Sequence, residues 1–86
     1  MAEQISEVDT VINSLNEIQE DATVPRNVRT KIEAIISSLK EEAEISIRVS
    51  KALNELDGVA SDINLQAYTR TQIWNIMSAL EKMINK

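Results

Sequence analysis

Two acid–base pairs with the same spacing are the first residues whose types could support chemistry. Asp21 precedes Arg29 by eight residues, and Asp62 precedes Arg70 by eight residues. A carboxylate and a guanidinium placed together can grip a ligand or serve as an acid–base pair. Because the pairing recurs as part of a longer repeat, we interpret it as architecture. Each Asp is predicted to help cap a helix, and each Arg to bridge to the acidic surface of the neighbouring hairpin.

The concentrated positive charge of the chain lies at Arg26, Arg29 and Lys31, with Arg70 as a fourth member of this candidate basic patch. These side chains could contact phosphates, so weak association with RNA or DNA is the alternative functional hypothesis. No aromatic side chain is interleaved with them, and the net charge of −5 repels a phosphate backbone. Nucleic acid is therefore the weaker prediction for a partner.

Catalytic and metal chemistry has few candidate residues. The chain contains no His and no Cys, which removes imidazole bases, thiolate nucleophiles and nearly all zinc sites. The acidic run Glu41, Glu42 and Glu44 is weighed as a metal site, but neighbouring carboxylates point apart and no His completes the set. We therefore predict no catalytic residue, no cofactor and no metal. The protein is expected not to be an enzyme.

Composition predicts an all-α domain with an aliphatic core. Apolar residues make up 43% of the 86 positions, yet Phe is absent, and the chain has one Gly and one Pro. Strand-rich folds need turn residues at short intervals, which this chain does not offer. We expect a single domain over residues 1–86. The first residues lack signal-peptide features and no apolar run can span a membrane, so a cytoplasmic location is expected.

Apolar residues recur at three- and four-residue steps in four stretches, which predicts four amphipathic helices. A short acidic turn after Lys40 interrupts the pattern, and Gly58 is predicted to end the third helix in a left-handed cap, with a loop from Val59 to Asn64. The predicted helices cover about residues 3–20, 25–40, 44–57 and 65–85.

The chain also contains an internal repeat of two helices per unit. Residues 15–39 align with 53–80 if three residues are inserted in the second loop. The units, about 3–40 and 44–85, have the spacing of HEAT-type repeats, and a stacked solenoid needs about three of them. We therefore expect two similar helical hairpins, HEAT-like in sequence, that close into a four-helix bundle or complete their core with another subunit.

Three apolar residues, Ile47, Trp74 and Met77, lie away from the centres of the apolar stripes on their helices. A two-layer helical stack that uses both sides of a helix would explain them. The alternative is an exposed patch that binds a partner. We adopt the second interpretation as a hypothesis: an interaction module that self-associates as a homodimer, with these three residues as candidate contacts.

The stretch from Tyr68 to Glu81 contains the run Arg-Thr-x-Ile-Trp-x-Ile. It resembles the C-terminal signature of a small archaeal family of uncharacterised proteins, and residues 24–29 resemble the middle segment of that family. The chain departs from the family in its second loop, at residues 62–66, where relatives usually have a proline-bearing turn. The resemblance covers most of the chain and implies a short, helical, cytoplasmic protein. It implies no activity.

Overall fold

The computed structural model describes residues 7–84 as four α-helices, which confirms the predicted fold class. The break predicted after Lys40 is present, so the second and third helices are separate. The predicted start of the first helix at residue 3 lies outside the described residues. The helices are α1 (Glu7–Gln19), α2 (Arg26–Leu39), α3 (Ile45–Ala60) and α4 (Ala67–Ile84).

The four helices form a closed ring. α1 packs against α2 and α4, and α3 packs against the same two helices, whereas no Cα atoms of the diagonal pairs α1–α3 and α2–α4 lie within 8 Å of each other in residues 7–84. The connections are five or six residues long, which is typical of antiparallel neighbours in a bundle. Loops 20–25 and 61–66 therefore lie at one end. A hydrogen bond from Asn27 Nδ2 to Asp62 Oδ2, 3.2 Å long, joins the helices there.

The core inside this ring is aliphatic. Each helix contributes Ile, Leu or Val side chains with no exposed surface, including Leu15, Ile32, Leu56 and Ile73. Burying one such side chain contributes about 1.5–3 kcal/mol. These aliphatic side chains fill the centre of the bundle, and no aromatic residue of the range 7–84 is buried.

Loops 20–25 and 61–66 share one conformation. In each, an Asp Oδ1 accepts a hydrogen bond from the N–H two residues later, Asp21 from Thr23 (2.9 Å) and Asp62 from Asn64 (2.8 Å). Such Asx turns fix a short loop without help from the rest of the fold. The backbone bonds correspond as well: Asp21 N–H to Ile18 O with Asp62 N–H to Val59 O, and Val24 N–H to Asp21 O with Leu65 N–H to Asp62 O.

The two halves of the chain correspond at a constant separation of 41 residues. Both loops are six residues long, so the three-residue insertion predicted in the second loop is wrong. Fully buried Leu15 corresponds to fully buried Leu56, and half-buried Leu53 is not its counterpart. The sequence alignment was misled by two similar Leu-Asn-Glu triplets that occupy different levels of their helices.

The predicted end of the third helix at Gly58 is also wrong. α3 continues to Ala60, and Gly58 has a negative φ. The physical reason is the burial of Val59 and Ala60, which are 1% and 9% exposed. Their burial outweighs the cost of about 1 kcal/mol for a glycine inside a helix. The fourth helix begins at Ala67, two residues later than predicted.

Candidate functional site

The structure brings two of the three candidate contact residues together. Trp74 is 55% exposed, and Met77, one turn later on α4, is half-buried against the core. Arg70 lies one turn before Trp74, and its side chain reaches the end of α3. This stripe of α4 therefore borders α3. Ile47 is 57% exposed but lies in the first turn of α3, at the opposite end of that helix from Ala60.

Three further exposed apolar side chains were missed by the sequence analysis. Tyr68 and Ile63, near the start of α4, are 68% and 91% exposed, and Ile45 is 39% exposed. Ile45 is the first residue of α3. The position of Ile63 between the two polar residues of the Asx turn was the available signal for its exposure.

The four residues of the candidate basic patch differ in their contacts. The Arg70 guanidinium donates from Nε to the carbonyl oxygen of Ala60 (3.0 Å) and from Nη2 to that of Asp62 (2.9 Å). The last carbonyls of a helix lack helical partners and carry partial negative charge, which a guanidinium neutralises. Arg70 thus caps the C-terminal end of α3. The side chains of Arg26, Arg29 and Lys31 form no ion pair with any residue of the range 7–84.

The two Asp–Arg pairs are not paired side chain to side chain. The Thr23 N–H, and then the Thr23 hydroxyl, lowers the pKa of Asp21. For Asp62, the Asn64 N–H is the largest cause of a lowered pKa, followed by the Asn27 amide. Each Asp therefore holds its own loop. The predicted bridge between hairpins is wrong for Arg70, which bonds to its own hairpin.

At the other end of the bundle, Arg48 caps the C-terminal end of α2 as Arg70 caps that of α3. The sequence analysis did not identify Arg48. Its Nε donates to the Ala43 carbonyl and its Nη1 to the Leu39 carbonyl, both at 2.9 Å. Leu39 is the last residue of α2. The signal was the spacing: Arg48 follows the end of α2 by nine residues, and Arg70 follows the end of α3 by ten.

Two surface depressions occupy corresponding places in the two halves. The α1–α4 groove is lined by Ser14, Glu17, Gln72 and Asn75 together with Thr10, Val11, Ile76 and Ala79. The α2–α3 hollow has a volume of about 340 Å³ and is lined by Lys31, Ala34, Asn54, Glu55 and Gly58. A shift of 41 residues relates Ser14 to Glu55, Glu17 to Gly58, Lys31 to Gln72 and Ala34 to Asn75. The bundle therefore has an approximate two-fold axis, and this axis relates the two depressions to each other.

Glu55, one of the residues that line the α2–α3 hollow, has an unusual polar atom. Glu55 Oε1 is buried and has no hydrogen-bond partner among residues 7–84. A Cβ added at Gly58 would meet nothing within 4 Å. The hollow thus combines an unsatisfied carboxylate oxygen with a wall that no side chain fills.

Other kinds of site have no counterpart in the part of the chain that the structure describes. Within residues 7–84, no group of three or more His, Cys, Asp or Glu side chains is arranged to hold a metal ion. No helix in the same range is both long and apolar enough to cross a membrane. The acidic loop after α2 instead places Glu41 Oε1 3.7 Å from Lys51 Nζ, an exposed ion pair that contributes little.

Comparison with known proteins gives the family. The model of the uncharacterised protein family UPF0147 matches residues 1–83. The chain belongs to this family. A UPF0147 protein of Methanocaldococcus jannaschii is 46% identical over 70 residues, which cover 80% of this chain and 75% of the relative. One from Pyrococcus abyssi is 33% identical over 85 residues, covering 96% and 99%.

Solved UPF0147-like structures have the same fold. A crystal structure described as the unknown function protein MMP1188 matches with a TM-score of 0.87 and 39% identity, over 98% of this chain and 100% of the other. A family member from Thermoplasma acidophilum matches with a TM-score of 0.84 and 35% identity, over 90% and 92%. The four-helix architecture of this chain is thus shared with these two solved proteins.

Proposed function

We propose that this UPF0147 protein is a non-enzymatic helical module for protein–protein interaction, located in the cytoplasm, that self-associates as a homodimer. The observation that carries the proposal is the 55% exposure of Trp74 beside half-buried Met77, on the stripe of α4 that borders α3. Ile47, the third candidate contact, is also exposed but lies apart from this stripe, in the first turn of α3. The basic patch is the alternative surface, for RNA or DNA.

Tryptophan is the residue type whose exposure is hardest to explain without a partner. Its side chain can bury 150–250 Å², and it is enriched among the residues that dominate interface energies. Single exposed aliphatic side chains are ordinary on protein surfaces. In this chain, however, the sole Trp and the sole Tyr are both more than half exposed, while the core is built without aromatics. The aromatic residues therefore contribute little to folding and are available for contact.

The nucleic-acid alternative has less support. Arg70, one of its four proposed phosphate ligands, has its guanidinium bonded to two backbone carbonyls. Lys31 lies close enough to Asp62 for its charge to lower the pKa of that carboxyl, so an acidic group stands inside the proposed basic patch. A proposal of catalysis has no support either, because the chain contains no His and no Cys.

Sedimentation velocity over a wide range of protein concentration tests the proposal. We expect the wild-type chain to show a dimer that dissociates on dilution and W74K to remain monomeric, because the lysine would place a charge in the apolar contact. The matched control is Y68S. Tyr68 is an exposed aromatic on the same helix, one turn before Gln72 and hence on the side that borders α1, so its replacement should leave the dimer intact.

A wild-type chain that stays monomeric at every concentration, with W74K unchanged in sedimentation, would remove the self-association proposal. The alternative is tested separately by fluorescence anisotropy with single-stranded RNA and DNA at low salt. Salt-dependent binding that R29E weakens would favour it. Absence of binding at low salt would end it.

A further inference from the structure

We propose that the α2–α3 hollow is a binding site for a lysine or arginine side chain of a partner protein, with the Glu55 carboxylate as the group that receives it. The proposal rests on the proposed function as an interaction module. It concerns a different surface from the Trp74 stripe, because Glu55 faces α2 whereas Trp74 lies on the α3 side of α4.

The first observation is the unsatisfied carboxylate oxygen. Glu55 Oε1 is buried without a partner within residues 7–84, and a buried acceptor without a donor destabilises a fold. Lys31 lies on the same hollow, yet its ammonium forms no ion pair with Glu55 in the described chain. Within this range the fold supplies no donor to that oxygen, and Glu55 lines the hollow through which a partner's donor would approach it. A charged donor gives the strongest such bond.

The second observation is the absence of a side chain at Gly58, one turn after Glu55 on the same helix. Gly58 is an internal residue of α3 with a negative φ, and a side chain there would enter open space. Neither a turn nor close helix packing therefore requires glycine at this position, although glycine lowers helix stability relative to alanine. Ala34 keeps the α2 wall small as well. Glu55 and Gly58, which each lower the stability of the fold, thus line the same hollow. Such a combination is typical of positions selected for binding.

The third observation is size and charge. A hollow of about 340 Å³ that opens to solvent has room for the end of one long side chain. The net charge of −5 attracts basic partners. The equivalent α1–α4 groove has Ser14 in place of Glu55 and the exposed Glu17 in place of Gly58, so it lacks a buried carboxylate oxygen without a partner. It provides an internal control for the proposal.

The test is a ¹⁵N NMR titration of the full chain with a blocked pentapeptide of four glycines around one arginine, compared with the peptide in which citrulline replaces arginine. We expect shifts centred on Lys31, Asn54 and Gly58 with the arginine peptide and none with the citrulline peptide. E55Q should weaken binding by about tenfold or more, the loss expected for one charged hydrogen bond. E17Q removes the same charge from the equivalent groove and should change binding by less than about twofold.

Two further variants, G58L and K31M, and the thermal stability of E55Q complete the test. G58L should fill the hollow and abolish binding while the chain stays folded, because the added side chain enters open space. E55Q should raise the Tm or leave it unchanged. Equal weakening by E55Q and E17Q would overturn the proposal, since binding would then follow net charge alone. A lowered Tm in both E55Q and K31M would also overturn it, because Lys31 would then be the partner of Glu55 in solution.

Failure of this proposal and failure of self-association are distinguishable. W74K leaves the hollow unchanged and is read by sedimentation, whereas E55Q leaves the Trp74 stripe unchanged and is read by peptide titration. A monomeric chain that binds the arginine peptide would support the hollow alone. A dimer that does not bind the peptide would support only the Trp74 stripe.

Discussion

The first half of the molecule, α1 and α2, and the second half, α3 and α4, share a framework but differ in what they add to it. Loops 20–25 and 61–66 have the same Asx turn and the same backbone bonds. Leu15 and Leu56 occupy the same fully buried position. The differences are at the arginines that follow the loops and at the residues that line the two depressions.

The comparison separates the residues that build the common framework from those that differ between the two halves. Turns and core positions that are equivalent under the approximate two-fold axis have matching chemistry, because both halves must solve the same packing problem. Positions outside the core differ in residue type or in contacts. Glu17 and Gly58 differ in residue type, and Arg29 and Arg70 differ in the hydrogen bonds of their side chains. Substitutions at these positions separate what the framework needs from what one half has acquired.

The largest expected effect distinguishes Arg70 from Arg29. R70M should lower the free energy of unfolding by about 2–3 kcal/mol, because two charged hydrogen bonds to the end of α3 are lost while the methionine keeps the apolar stem. R29M should change it by less than about 0.5 kcal/mol, since Arg29 has no such bonds within residues 7–84. Urea denaturation measures both. Equal losses would show that the two junctions work alike.

Replacement of Gly58 should act in the opposite direction. G58A should raise the free energy of unfolding by about 1 kcal/mol, because alanine favours the helix and its Cβ meets no neighbouring atom. E17A, at the corresponding position of α1, replaces an exposed residue that already favours the helix and should change stability by less than about 0.5 kcal/mol. Thermal and urea unfolding of both variants measure the difference. A destabilised G58A would mean that the hollow closes in solution.

Sequence reasoning predicted the elements of this fold better than their ends. The periodicity of apolar residues and the acidic turn after Lys40 were sufficient for four helices, because helix packing requires a stripe that can be seen in one dimension. Gly58 misled the prediction, since its local preference for ending a helix was overridden by the burial of Val59 and Ala60. That burial depends on neighbouring helices, which a local pattern does not contain.

The candidate sites were less predictable for the same reason. Trp74 was selected from its place at the margin of the helical stripe, and its side chain is 55% exposed; its role as a contact residue stays a prediction. The roles of Arg70 and Arg48 depend on carbonyls nine or ten residues earlier, at helix ends whose location the sequence placed imprecisely. Glu55 was not selected at all, because nothing in an amphipathic pattern indicates that one carboxylate oxygen will be buried without a donor.

The smallest expected effect is a change in the pKa of Asp21 or Asp62 when the second hydrogen bond to that carboxylate is removed. Asp21 receives its second bond from the Thr23 hydroxyl, whereas Asp62 receives its second bond from Asn27, across the bundle end. T23V should therefore raise the pKa of Asp21 and leave that of Asp62 unchanged, and N27A should do the reverse. NMR titration of the carboxyl carbons measures each pKa. Neither variant removes the backbone N–H bond, so neither pKa should return fully to its ordinary value.

The sign of the accompanying stability change follows from the lowered pKa values. A carboxyl whose pKa is lower in the folded state than in the unfolded state stabilises the fold at pH values above about 3.9, the ordinary value for Asp. That contribution is lost as the pH falls through the folded-state pKa. T23V and N27A should therefore differ from the wild type less at pH 2 than at pH 6. If N27A alters Asp21 as strongly as Asp62, the two loops are coupled across the bundle end and are not the independent turns that their matching local bonds indicate.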